Sequence, residues 1–308
     1  MNITWYDKNN DSFALETTSN CQLTNKMLSN ENDETKECIN IVFGQESYLN
    51  SFFNCLKGMQ NNFDGLNFRI GVVNKVSKIE FMEANIIESS VIYIGGNEEE
   101  EKYLSVFNES ANLIANRCQG KYKTIGFQRH LTNEIHPLSI SLSELRKDFS
   151  LAESSLRAAK AIFFNKSSVR VQESNSSYSR ITGLDIYECC QLLRYCGLST
   201  EHDFLFINGE EKQNNNDIWD MITTVVWYYL EGRTFKTIDD STDNINTYLV
   251  ESPLFKDAIT FYKSEKTNRW WFLSPENGKK VPCSENDYLN LSKGDFPDIL
   301  LSHSVIQS

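Results

Sequence analysis

The stretch GLDIYECCQLLRYCGLS, Gly183–Ser199, lies between two short apolar runs, Ala161–Phe164 and Phe204–Ile207. Its apolar residues recur at helical spacing, and Gly197 stands where the helix would end. Short continuous apolar runs are typical of strands that are buried on both faces of a parallel sheet. A strand, a helix and a strand in this order therefore predict a βαβ unit.

The same alternation extends toward the N-terminus. Further strands are predicted at Ile39–Phe43, Phe68–Val73, Val91–Ile94 and Thr124–Phe127. Because the segments between them are long enough for crossover helices, we predict an α/β fold with a mainly parallel sheet. Residues 1–37 are polar and predict an N-terminal arm, whereas residues 38–308 predict a single α/β domain.

The C-terminal third contains a second helix and two further segments. An apolar stripe over residues 218–229 predicts the helix. Asp217 stands where its N-cap belongs, and Gly232 stands where the residue after its last turn belongs. Strand or turn segments are predicted around Ile259–Lys263 and Trp270–Leu273.

The composition excludes several classes of protein. The chain has 308 residues, a net charge of −12, four histidines and eight cysteines. Its 40% hydrophobic content is too high for a disordered chain, and its acidity argues against general nucleic-acid binding. The sequence shows no apolar run long enough to span a bilayer and no secretory-signal pattern. We therefore expect a cytoplasmic protein that does not insert into membranes. Cysteines without CxxC spacing predict buried apolar side chains, not a zinc framework or a thioredoxin-like site.

A glycine pair, Gly95-Gly96, directly follows the strand predicted at Val91–Ile94. The carboxyl ends of parallel strands are where α/β proteins bind ligands, but a glycine pair is also typical of a plain turn. The acidic run 98–101 would repel a phosphate and is typical of a solvated helix start. No histidine triad or HExxH motif is present, so the residues alone indicate an α/β domain without a recognisable active site.

Gly183–Ser199 resembles the segment Gly-Leu-x-x-x-Glu-Ala-Cys-Gln-x-x-Arg-Tyr-Ala-Gly-Leu-Ser of one bacterial branch of the ureohydrolase superfamily. That superfamily contains arginase, agmatinase and formimidoylglutamase. Further similar segments are Thr124–Leu131, Leu156–Arg170, Met221–Gly232, Phe261–Pro275 and Val281–Asp298. The resemblance implies an arginase-like, three-layer α/β/α fold. It also implies a strand-end site in which one His and several Asp hold two manganese ions, whose shared hydroxide attacks a guanidino or formimino carbon.

The sequence departs from that implied site at each position compared. The motif Gly-Gly-Asp-His corresponds to Gly95-Gly96-Asn97-Glu98, so a glutamate replaces the metal-binding histidine. The motif Asp-Ala-His-x-Asp has no counterpart between residues 101 and 124. The aspartate of Ser-Phe-Asp corresponds to Asn165, and the glutamate that would hold a cationic substrate group corresponds to Phe206.

The metal-binding motifs are lost, but the C-terminal segments are retained. This combination predicts an arginase- or formimidoylglutamase-like pseudoenzyme. It would have no catalytic residue and no metal, and it would act as a cytoplasmic binding or scaffold protein. Its partner would be another protein or a second copy of itself, not a nucleic acid. Candidate contact surfaces are the N-terminal arm and the pair Trp270 and Trp271.

Two alternatives remain open at this point. One is a divergent metal-dependent hydrolase of linear amidines, with manganese held near Glu98, Glu99 and Asn165, and Asp185 or Asp203 as helpers. The other is a small-molecule binder that keeps the strand-end crevice without a metal. In that case Phe206 would line an apolar pocket.

Overall fold

The computed structural model of the chain places thirteen strands in two sheets, together with five helices, within the residues that it describes. These residues are 2–7, 22–23, 38–43, 62, 67–72, 91–95, 122–128, 139–165, 169–170, 182–199, 204–208, 216–235, 244–252, 255, 257–275 and 277–297. Helices and strands together confirm the α/β class predicted from the sequence.

The larger sheet has nine strands. They are β1 Asn2–Asp7, β2 Gln22–Leu23, β3 Cys38–Phe43, β4 Asn67–Val72, β5 Val91–Ile94, β6 Tyr122–Phe127, β7 Ile140–Ser141, β8 Ala161–Asn165 and β9 Phe204–Asn208. Their order in the sheet is β2-β1-β4-β3-β9-β8-β5-β6-β7, and neighbouring strands pair in parallel. The six strands predicted between residues 39 and 207 are confirmed with small shifts of their ends.

Two strands of this sheet lie within the segment for which the composition predicts a polar arm. β1 pairs with β4 over its six residues, and β2 pairs with β1 at the edge of the sheet. The sheet therefore begins earlier in the chain than the apolar runs indicate. The division into an arm at 1–37 and a domain at 38–308 stays a prediction.

The described helices are α1 Leu142–Lys147, α2 Ser150–Arg157, α3 Ile186–Gly197, α4 Asn216–Phe235 and α5 Glu285–Ser292. α3 begins with a reciprocal cap, in which the Asp185 side chain accepts from the Glu188 amide and the Glu188 side chain accepts from the Asp185 amide. α4 begins at Asn216, which places Asp217 inside the first turn. The prediction of Asp217 as N-cap is therefore wrong, because Asp217 is the second residue of the helix.

The prediction that the helix ends at Gly197 is confirmed, whereas the prediction that Gly232 follows the last turn of its helix is wrong. Gly197 is the last residue of α3, and α4 continues past Gly232 to Phe235. The two glycines lie where α3 crosses α4. A methyl group on Gly197 would overlap the carbonyl oxygen of Tyr229, and one on Gly232 would overlap that of Arg194. Glycine is required here because the two backbones approach too closely for a Cβ atom.

The main core lies between the nine-stranded sheet and the helices α1 to α4. Alternate strand residues supply fully buried side chains, such as Ile94 on β5, Phe164 on β8 and Ile207 on β9. Leu193 of α3 and Tyr229 of α4 belong to the same cluster. Burial of side chains of this size contributes about 2 kcal/mol each, so this packing fixes the positions of the central strands. No helix in the described ranges has the length and apolar character that a membrane span requires.

A second sheet follows in the chain and is antiparallel. Its strands are β10 Ile245–Val250, β11 Ile259–Ser264, β12 Trp270–Leu273 and β13 Lys280–Cys283, which confirms the two segments predicted there. Helix α5 packs on this sheet over its own apolar cluster. Trp270 is only 4% exposed and stacks on Tyr288 with ring centroids 4.9 Å apart, so it is a core residue and not the contact surface proposed from the sequence.

Arg157 connects the second sheet to the helices of the first. Its guanidinium is buried at the end of α2, where it donates to the carbonyl oxygens of Trp270 at 3.0 Å and Cys283 at 3.2 Å. Glu153 lies 2.8 Å from the Arg157 Nε and supplies the opposite charge. Trp271 lies against the same guanidinium, with 4.9 Å between its ring and Cζ.

Candidate ligand site at the strand ends

Four neighbouring strands of the large sheet, in the order β9, β8, β5 and β6, end at the same edge. β8 and β9 are aligned residue by residue, so their last residues, Asn165 and Asn208, form a pair across the two strands. On β5, Ile94 pairs with Phe164, and Gly95 therefore stands level with Asn165. The backbone register thus places two asparagines and one glycine in a row across three strands.

Gly95 continues β5 in a conformation that favours glycine. Its φ is +80°, it is buried, and its amide donates to the carbonyl oxygen of Ile125 on β6 at 2.8 Å. Gly126 on β6 has the same φ, and a Cβ there would meet Leu184 at 3.1 Å. A residue with φ in this range is strained unless it is glycine. Both strands can therefore adopt this conformation because Gly95 and Gly126 carry no side chain.

The end of β6 adds a third carboxamide. Gln128 follows the last residue of the strand and is 8% exposed, which is unusual for glutamine. Burial of a carboxamide is costly unless its oxygen and nitrogen have hydrogen-bond partners. The ends of β9, β8 and β6 therefore carry Asn208, Asn165 and Gln128, and the glycine end of β5 lies between the last two.

The sequence-predicted site positions are distributed as follows. Gly95 and Asn165 lie at neighbouring strand ends, as expected from their place after apolar runs. Phe206 lies within β9, where it pairs with Val42 and Phe163, two residues before the strand end. Gly96, Asn97 and Glu98 lie outside the described residues.

Asn208 and Gln128 were missed by the sequence reasoning. Each directly follows an apolar run, which is a signal that could have found them. Their relation to Asn165 depends on the strand order, because β9 follows β8 in the chain but β6 precedes it. The order of the strands in the sheet cannot be read from a single sequence.

Asp185, considered from the sequence as a helper in a metal site, has a different role. Its carboxylate caps α3 at 2.8 Å from the Glu188 amide. Glu188 in turn accepts from Arg146 through both of its oxygens, at 2.6 and 3.1 Å, and Arg146 also donates to the Gly183 carbonyl oxygen. The hydrogen bond that Arg146 donates to Glu188 raises the pKa of Arg146 above its ordinary value. These charges are engaged in holding α1 against the start of α3.

The buried thiols near the core are unsuited to nucleophilic chemistry. Cys189, Cys190, Cys196 and Cys283 are free and buried, which confirms for these four the interpretation as small apolar side chains. Burial raises the pKa of Cys190 from 9.0 to about 11, and it raises the pKa of each of the other three thiols well above its ordinary value. Because the thiolate is the reactive form, all four are inert near neutral pH.

Comparison with known proteins gives the fold. No protein-family model and no curated protein matches the sequence. Among solved structures, the oxidized, manganese-bound formiminoglutamase of Trypanosoma cruzi at pH 8.5 superposes with a TM-score of 0.50 at 12% identity, covering 67% of this chain and 96% of that one. The chain has the ureohydrolase fold.

Two other ureohydrolase structures are similar at a lower level. The agmatine ureohydrolase of Thermoplasma volcanium has a TM-score of 0.49 and 8% identity, over 71% of this chain and 97% of that one. The formimidoylglutamase of Bacillus subtilis has a TM-score of 0.47 and 9% identity, over 66% and 89% of the two chains.

The strand-end residues do not fit the manganese pair that a ureohydrolase fold implies. Gly95, Asn165 and Asn208 carry no charge, and two adjacent divalent cations need several anionic ligands to offset their repulsion and desolvation. In the part of the chain that the structure describes, no group of three or more His, Cys, Asp or Glu side chains could hold a metal ion. What these ends can provide is hydrogen bonding, since a carboxamide both donates and accepts.

Proposed function

We propose that this chain is a pseudoenzyme with the ureohydrolase fold, which acts as a binding or scaffold protein and not as a hydrolase. The observation that carries the proposal is the pair Asn165 and Asn208 at the ends of β8 and β9. The first of them stands where the resemblance expects a metal-binding aspartate. A three-layer arrangement around the sheet, the domain at residues 38–308 and a cytoplasmic location belong to the same proposal.

Charge is the physical reason why an asparagine at this position opposes catalysis. Replacing a carboxylate by a carboxamide removes one negative charge from the ligand set but keeps the size of the side chain. Activation of water by a divalent ion depends on the ion being held firmly, and hard cations select anionic oxygen ligands. Glu98, in place of the expected histidine, restores one carboxylate at most, and Lys166 directly after Asn165 adds a positive charge.

Metal analysis and an activity assay test the non-catalytic half of the proposal. The full chain is purified with excess manganese, dialysed and analysed for bound metal. It is then assayed for urea, ammonia or formamide release from arginine, agmatine and formiminoglutamate. We expect less than stoichiometric manganese and no turnover. Stoichiometric manganese together with turnover would establish the amidine hydrolase instead.

An isosteric pair of variants makes the assay more specific. Asn165→Asp restores a carboxylate at the strand end, whereas Asn286→Asp adds the same charge at an exposed position on α5. If the lost carboxylate matters, Asn165→Asp gains manganese affinity and Asn286→Asp does not. Equal metal content in the two variants would show that Asn165 does not lie at a metal position.

The binding half of the proposal needs a separate measurement. Light scattering after gel filtration measures self-association, and co-purification followed by mass spectrometry identifies other partners. Tyr187 and Leu249 are 81% and 70% exposed, which makes them the most exposed large apolar side chains in the described part of the chain. Replacing each by Ser should weaken an interaction made through that surface without changing the fold. A monodisperse monomer that co-purifies with no other protein would contradict a scaffold role.

A further inference from the structure

We propose that strand β10, Ile245–Val250, is the contact surface of a homodimer, in which it pairs in antiparallel orientation with β10 of a second copy of the chain. The pairing would join two four-stranded sheets into one continuous sheet. The inference deepens the proposed function, because it names a partner and a surface, and it rests on the binding half of that function.

The two edges of the four-stranded sheet differ in their protection against further pairing. At one edge, β13 contains Pro282, which has no N–H to donate, and the exposed, charged Lys280. The carbonyl oxygen of Cys283 on the same strand already accepts from Arg157. At the other edge, β10 has the sequence INTYLV, without a charge or a proline, and among the described strands it pairs only with β11. Native sheets usually protect such an edge, so an unprotected one indicates a strand that is used for pairing.

The hydrogen bonds of the neighbouring strand show which backbone groups of β10 face outward. The Ser264 amide donates to the carbonyl oxygen of Arg269, so Ser264 faces β12 and not β10. Its pairing partner on β10, Ile245, therefore directs its N–H and C=O groups away from β11. Because this direction alternates along an antiparallel strand, three residues present their backbone groups at the open edge: Ile245, Thr247 and Leu249.

This edge is accessible in the structure. Thr247 is exposed, and Leu249 is 70% exposed although it is a large apolar residue. Their side chains lie on the face opposite helix α5, since the alternating Tyr248 contacts Tyr288 of that helix with 5.3 Å between ring centroids. Arg157, which connects this sheet to the helices of the first, binds at β12 and β13, on the side away from β10. A partner strand at β10 would therefore reach the edge and remove Leu249 from water.

The side chains at the open edge favour a second copy of this strand over an unrelated strand. They are apolar, threonine and apolar, a pattern that is the same in both directions. A two-fold axis at Thr247 sets this residue opposite its own copy and Leu249 opposite Ile245 of the second copy. Each of the three pairs can exchange two hydrogen bonds, about six in all. Any other register leaves at least one of the three residues without an outward-facing partner on β10.

The size of the surface predicts a weak, reversible dimer. A standard interface uses about 20–30 residues on each side, whereas β10 supplies six. Six hydrogen bonds and the burial of two Leu–Ile pairs must offset the loss of translational and rotational freedom on association. We therefore expect a dissociation constant on the order of 10–100 µM.

Sedimentation equilibrium of the full chain, from about 1 µM to 1 mM, measures this constant. Thr247→Lys and Thr247→Glu should each raise it at least about tenfold, because two like charges would meet on the axis. An equimolar mixture of the two variants should dimerise again, since opposite charges then face each other. Asn286→Lys adds the same charge at an exposed position of α5 and is the matched control, which should associate as the parent does.

A second set of mixtures tests the register. Leu249→Lys mixed with Ile245→Glu should recover dimerisation, because the two changed residues face each other in the proposed pairing. Leu249→Lys mixed with Leu249→Glu should recover much less, because these charges do not meet. Circular dichroism shows whether each variant is folded.

Hydrogen exchange of the unchanged chain gives a readout that needs no variant. The amides of Thr247 and Leu249 should exchange about tenfold more slowly near 1 mM than near 1 µM, whereas that of Tyr248, which faces β11, should be protected at both concentrations. A chain that is monomeric at 1 mM, folded variants that dimerise as the parent does, or no recovery in the Thr247 mixture would overturn the inference.

These outcomes separate the inference from the proposed function. A monomeric chain that binds another protein would refute only the pairing through β10. A chain that dimerises through β10 but retains stoichiometric manganese and hydrolyses an amidine would refute only the pseudoenzyme. A monomer without any partner would refute both the pairing and the scaffold role.

Discussion

The crossing of α3 and α4 leads to a quantitative prediction for Gly197→Ala. A methyl group at this position would overlap the carbonyl oxygen of Tyr229 and lie 2.9 Å from both the amide nitrogen of Arg233 and the Cα atom of Gly232. All three atoms belong to the backbone of α4, so no side chain can rotate away. The helices must separate instead, against the core that they share.

The expected magnitude combines two opposing effects. Overpacking of this kind costs about 3 kcal/mol when the obstructing atoms are backbone. Alanine gains about 1 kcal/mol over glycine in a helix because it has less conformational freedom to lose. We therefore expect Gly197→Ala to lower the free energy of unfolding by about 2 kcal/mol. Gly232→Ala should cost a similar amount, since its methyl group would overlap the carbonyl oxygen of Arg194.

Urea denaturation followed by tryptophan fluorescence measures these values. Gly278→Ala is the matched control, because a Cβ there meets nothing within 4 Å and only its φ of +67° costs energy, about 1 kcal/mol. The double variant Gly197→Ala, Gly232→Ala should cost less than the two single changes together, since one separation of the helices relieves both overlaps. A Gly197→Ala protein as stable as the parent, or strict additivity in the double variant, would refute the reasoning.

Three further predictions concern the helix caps, the sheet connection and the thiols. Arg157→Ala should destabilise the chain by about 3 kcal/mol, because it removes the donor to two buried carbonyl oxygens and leaves Glu153 with the more distant Arg269, 3.8 Å away. Thermal unfolding measures this loss, and Arg157→Lys should recover only part of it. Asp185→Ala should cost about 1 kcal/mol in the same assay through loss of the α3 cap, and a cost near zero would refute the cap. Cys190 should resist alkylation at pH 8 in the native chain and react in urea, as mass spectrometry of the peptide can show. Since folding raises its pKa from 9.0 to about 11, its contribution to stability is complete below pH 9 and is lost as the pH rises toward 11.

The central strands could be predicted from the sequence because their physical signal is local. In the strands Ala161–Asn165 and Phe204–Asn208, side chains such as Phe164, Leu205 and Ile207 are buried, and a continuous apolar run is the consequence. β1, Asn2–Asp7, lacks such a run, since polar residues alternate with apolar ones in NITWYD within an Asn-rich segment. β1 belongs to the sheet because it pairs with β4, and no local sequence pattern indicates this pairing.

The role of two glycines shows what a single sequence lacks. A glycine near the end of an apolar stripe is typical of a helix C-terminus, and Gly197 and Gly232 both fit that pattern. Each glycine is required because the backbone of the other helix lies against it, and the two glycines are 35 positions apart in the chain. The same holds for the candidate site. Asn165 is identified from the resemblance, whereas the strand order is needed to place Asn208 on the neighbouring strand and Gln128 two strands away.

The position of β9 in the sheet has a consequence for how the chain folds. In the strand order, β2-β1-β4-β3 form one block and β8-β5-β6-β7 another, and β9 alone joins them. A ribosome must therefore complete Phe204–Asn208 before the two halves of the sheet can close, although both halves are synthesised earlier. Such long-range parallel closure is slow and leaves two strand edges exposed in the nascent chain, at β3 and at β8. A chain truncated before residue 204 would keep these edges open, which makes it a candidate for aggregation or chaperone binding.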